Sequence, residues 1–70
     1  MSNRLYSALL ARYKAQIIEA EADALNFFEN PVAVAEHPHR VDIMDIMITK
    51  LSDAEAKLET LELNFGEHYG

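Results

Sequence analysis

The chain contains no cysteine, and only two glycines and two prolines among 70 residues. Without cysteine there is no disulfide framework, no thiolate metal site and no cysteine nucleophile. So few glycines leave no Gly-rich loop to cradle a phosphate and no sharp Gly-x-Ser-x-Gly turn to present a nucleophile. Basic residues are also scarce: six Lys and Arg stand against twelve Asp and Glu, a formal net charge of −6. That balance disfavours nucleic-acid binding, which needs clustered cations on the phosphates, and it disfavours anionic membranes. No apolar run approaches the length of a membrane span. The opening MSNRLYSALLARYK alternates charged and apolar residues and lacks the apolar core of a signal peptide. The expectation is a single soluble cytoplasmic domain, residues 1–70.

What is present is helix-forming sequence. Between Asn3 and Glu29 no Gly or Pro interrupts the chain, and six alanines raise its helix propensity. Apolar or small residues recur at alternating spacings of four and three: Tyr6, Leu10, Tyr13, Ile17, Ala20, Ala24, Phe27. This is a heptad seam, not the alternation of a strand. Asn30-Pro31 ends it, since Asn tolerates a left-handed cap and Pro pushes its predecessor out of the helix. A second seam runs Met44, Met47, Leu51, Ala54, Leu58, Leu61, Phe65, with Asn64 and Gly66 as its stop. Ser52-Asp53-Ala54-Glu55 spells a capping box. The seam passes through it in phase, so one unbroken helix is expected.

The predicted architecture is therefore all-α. One helix covers about residues 3–29, a loop residues 30–37, and a second helix about residues 38–65. A loop this short makes the helices antiparallel neighbours, a helical hairpin. Folding about Val34 sets residue i near residue 68 − i, which brings Arg4, Arg12 and Lys14 towards the acids between Asp53 and Glu67, and Glu19 and Glu21 towards Lys50. Pairing across the hairpin is expected to select this orientation, although exposed pairs contribute under about 1 kcal/mol each.

The run AEHPHRVD, Ala35 to Asp42, holds two histidines one residue apart and two carboxylates. As a metal site it is poor. A His-Pro-His spacing across a helix start splays the imidazoles, and no Glu-x-x-His or His-Glu-x-x-His elsewhere completes a ligand set. As a helix start it is well formed: His37 as N-cap, Pro38 in the first helical position, and Glu36 and Asp42 at the positive end of the dipole. No cofactor or metal is expected. The Ser, Thr and Tyr hydroxyls and the carboxylates fall at helix-face spacings, so no enzymatic activity is expected either.

The informative asymmetry is apolar. Val41, Ile43, Met44, Ile46, Met47 and Ile48 open the second helix, broken only by Asp42 and Asp45, and Ile43, Ile46 and Ile48 lie off the seam. Leu25 and Phe28 stand opposite. A helix apolar around most of its circumference is buried on more than one side. The candidate interface is accordingly Leu25, Phe28, Ile43, Ile46, Met47 and Ile48. Its first expected occupant is a second copy, giving a homodimeric antiparallel four-helix bundle with two-fold symmetry. The alternative is another protein docked at the loop-end patch, where methionines supply an adaptable surface.

Asn30-Pro31-Val32-Ala33-Val34-Ala35-Glu36-His37-Pro38, followed by the acidic amphipathic stretch Ala54 to Leu61, resembles small helical proteins of tailed phages of marine cyanobacteria. In those, a segment similar to NPVGIGEHP joins two helices. Ala33 and Ala35 stand here in place of the expected glycines. The resemblance implies a phage origin, a host-cell cytoplasmic setting and a loop that is a structural signature. It implies no activity and no site residue.

Overall fold

In a computed structural model the chain is described for residues 2–30 and 39–69. Two helices account for nearly all of these: α1, Ser2–Glu29, and α2, Arg40–Tyr69. They pack against one another as an antiparallel pair 48 Å long and about 15 Å across. No described residue lies in a strand. Helix α2 is continuous through Ser52-Asp53-Ala54-Glu55, because breaking there would interrupt a seam that is already in phase.

The inward face of α1 is the expected heptad. Tyr6, Ala24 and Phe27 are buried, and Leu10, Tyr13, Ile17 and Ala20 are half-buried. On α2, Ala54 and Leu61 are buried, with Met44, Met47, Leu51 and Leu58 half-buried. Ile43 joins them from off the seam. Phe27 and Met44 line one hollow and Tyr6 reaches Gly66, so residue i lies opposite roughly residue 72 − i, one turn away from the register expected from the loop midpoint. Side-chain interlock sets the register, not the centre of the connection.

Three expectations need correction. Phe65 does not close the seam: it is 48 % exposed. Helix α2 runs on for another turn to Tyr69, whose ring lies 6.2 Å from that of Tyr6. Gly66 faces inwards and receives the Tyr6 hydroxyl, so it serves as a packing position and not as a stop. Asn64 does not cap the helix either, since its side-chain amide donates to the Thr60 carbonyl at 2.8 Å, within the helix. Finally, the expected cross-hairpin ion pairs do not form: among the described residues no Lys or Arg pairs with a carboxylate. Arg4 and Arg12 project from the part of α1 turned away from α2, which their offset from the seam dictates, and Glu19 borders a hollow shared with Lys50 without pairing with it.

Candidate interaction surface

At the start of α2 the His39 carbonyl accepts from the Ile43 amide at 3.0 Å. His39 Nδ1 approaches Asp42 Oδ2 at 3.9 Å, with both side chains about four-fifths exposed. So open a pair contributes little. His37, Pro38 and Glu36 lie outside the described residues, and with them the cap and most of the metal alternative. Among the described residues no group of three His, Asp or Glu side chains converges. His68 stands at the opposite end of the hairpin beside Tyr69, their rings 6.1 Å apart.

The two flanks of the hairpin differ in chemistry. One flank is polar and of mixed sign: Gln16, Glu19 and Asp23 of α1 line an open hollow with Lys50, Asp53 and Lys57 of α2. The other is apolar at the loop end. There Phe27, Phe28, Arg40, Val41 and Met44 line a hollow of about 340 Å³. Val41, Ile48, Glu55 and Glu62 follow at seven-residue intervals, two turns each, and so form one line along this flank. The line changes from apolar to acidic away from the loop.

The six interface residues expected from sequence do not form one patch. Phe28 is 65 % exposed and lines the loop-end hollow; Leu25 and Ile48 are exposed on the same flank. Ile46 is exposed too, but two residues from Ile48 it points to the other side of α2. Ile43 and Met47 are half-buried within the hairpin. Val41, 76 % exposed, and Ile18, 68 % exposed, are outside the six and are fractionally more exposed than any of them. Their signal was in the sequence: neither falls on a seam.

No helix among the described residues is long and apolar enough to cross a membrane. No family model matches the chain, and neither a curated protein nor a solved structure proves similar to it.

Proposed function

We propose that this chain is a non-catalytic interaction module whose hairpins pair with one another into a four-helix assembly. The observation that carries the reading is the imbalance of its apolar surface. Ten large apolar side chains are exposed among the described residues, while the buried core is Tyr6, Ala24, Phe27, Ala54 and Leu61, two of them alanines. The accessible surface is 5552 Å². A compact monomer of 7.9 kDa exposes roughly 4,400 Å². The excess, about 1,100 Å², is close to the roughly 800 Å² per partner that a stable interface removes. The radius of gyration, 15.6 Å against about 11 Å for a compact domain of this length, has the same cause. Acidic composition supports a protein partner over nucleic acid or an anionic membrane. The resemblance of residues 30–38 supports a phage protein acting in the host cytoplasm.

The loop-end hollow favours a second reading, in which a different protein inserts an apolar side chain between Phe28 and Val41 and the hairpin acts as a regulator. Light scattering over a concentration series separates the two. Self-association gives a mass of twice 7.9 kDa. A folded monomer at every concentration defeats it and leaves the exposed Phe28–Val41 surface for another protein.

A further inference from the structure

The outward face of α1 carries a second heptad series, independent of the one packed on α2. Ala8, Ala11, Ala15, Ile18, Ala22 and Leu25 follow at alternating spacings of three and four, and every one is exposed. At 100° per residue this row lies roughly 160° around the helix from the inward row. Ile18 and Leu25, 68 % and 57 % exposed, are large apolar side chains with nothing over them.

The charges of the same helix are sorted by position. Its cations, Arg4, Arg12 and Lys14, all lie in the first half, and its acids, Glu19, Glu21, Asp23 and Glu29, all in the second. This opposes the helix's own dipole, and no acidic residue occupies the first turn nor a basic one the last. No cation has an acid three or four residues away to pair with along the helix. Nor does any of them pair with α2 among the described residues.

We infer that α1 packs antiparallel on α1 of a second copy through this outward face, with residue i opposite residue 33 − i of the partner. The inference rests on the self-association proposed above and names its face, orientation and register. In this register Ala8 meets the partner's Leu25, Ala11 the partner's Ala22 and Ala15 the partner's Ile18, so an alanine makes room for every large side chain. The charged residues beside the row and at its ends each meet an opposite charge. Arg12 lies beside the partner's Glu19, Lys14 beside the partner's Glu21, and Arg4 beside the partner's Glu29. The two-fold axis repeats each contact. Sliding the helices by one heptad in one direction puts Glu19 and Glu21 beside their own copies; sliding in the other does the same to Arg12 and Lys14. Parallel pairing sets basic half beside basic half. Only one arrangement satisfies the whole pattern, as charge complementarity at an interface requires. The four helices then lie side by side, α2–α1–α1–α2, and the apolar loop-end flanks of both copies face the same way.

The test is light scattering with circular dichroism on the full chain. Wild type is expected to be a dimer, and Ala15→Glu a monomer of unchanged helicity, because Ala15 is exposed in the hairpin and Glu is a good helix former. Wild type that is monomeric throughout overturns self-association itself. A dimer that persists in Ala15→Glu retains self-association and overturns this face. Register is read from a charge exchange. Lys14→Glu alone is expected to weaken the dimer about tenfold or more by setting it against the partner's Glu21, and Lys14→Glu with Glu21→Lys to restore most of the loss. A double variant no tighter than the single one means the register is wrong.

Discussion

Helix α1 bears two apolar rows of the same spacing with opposite fates. Tyr6 to Phe27 is covered by α2 along its whole length, while Ala8 to Leu25 is open to solvent. Neither the period nor the propensity distinguishes them. What differs is bulk: the inward row carries Tyr6, Leu10, Tyr13, Ile17 and Phe27, and the outward row is alanine at four of six positions. The bulkier row takes the intramolecular partner because its burial stabilises the hairpin more. The smaller row is left open, and in the proposed dimer it is the row that a second copy covers.

Placing one substitution on both rows gives the largest contrast. Ala24→Glu sets a carboxylate into the core at a position only 6 % exposed. An unpaired buried charge costs more than about 4 kcal/mol, so this variant is expected to lose its helical signal at 25 °C. Ala15→Glu is expected to keep it. Equal helix loss in both variants would mean that the hairpin folds only as part of the dimer, and the two rows would then belong to one cooperative core.

The same contrast recurs in α2 with leucine. Leu61 is 8 % exposed and Leu63, two residues on, is 75 % exposed. Truncating a buried leucine removes its transfer energy and leaves a cavity, typically about 2–5 kcal/mol. In a two-helix pair that can partly close the gap, Leu61→Ala is expected at the low end, about 2 kcal/mol, against roughly 0.5 kcal/mol or less for Leu63→Ala. Urea midpoints of the two variants check it. A Leu63→Ala loss as large as that of Leu61→Ala would place Leu63 in a second interface.

Much of this was legible in the chain. Absence of Gly and Pro between Asn3 and Glu29, and the 4,3 spacing from Tyr6, suffice for α1 and its inward face. Met44 to Leu61 does the same for α2. Charge pairing was less legible, because sequence shows which charges coexist but not which side of a helix they project from. Arg12 sits too far round α1 to reach α2, Glu19 borders a hollow with Lys50 without closing to a pair, and exposed opposite charges are a weak constraint. The outward row of α1 was concealed by its own composition: its alanines are already explained by helix propensity, so their heptad spacing does not stand out. Around the start of α2 the apolar residues encircle the helix, which shows that more than one side is apolar but not which side packs on α1: Ile43 and Met47 turn into the hairpin, while Ile46 and Ile48 stay exposed on opposite sides.

The end of α2 offers the finest test of the inward row. Asn64 and Gly66 suggested a stop, yet the helix passes through both to Tyr69. It continues because Tyr6 supplies what the sequence motif alone does not show, a ring that packs against Tyr69 and a hydroxyl that reaches Gly66. A Cβ built at Gly66 would meet that hydroxyl at 3.5 Å, an ordinary van der Waals contact. Glycine is therefore not required there, and in a helix it costs up to about 1 kcal/mol relative to alanine through its conformational freedom. Gly66→Ala is expected to raise the melting temperature by a few degrees, with the smaller end of that energy range applying so near the terminus. In Tyr6→Ala, whose contact with the last turn is lost, the same glycine replacement should stabilise less, since the turn it strengthens is no longer held. If Gly66→Ala instead lowers stability in the wild-type background, Gly66 ends the helix after all, and the Tyr6–Tyr69 contact does not hold the last turn.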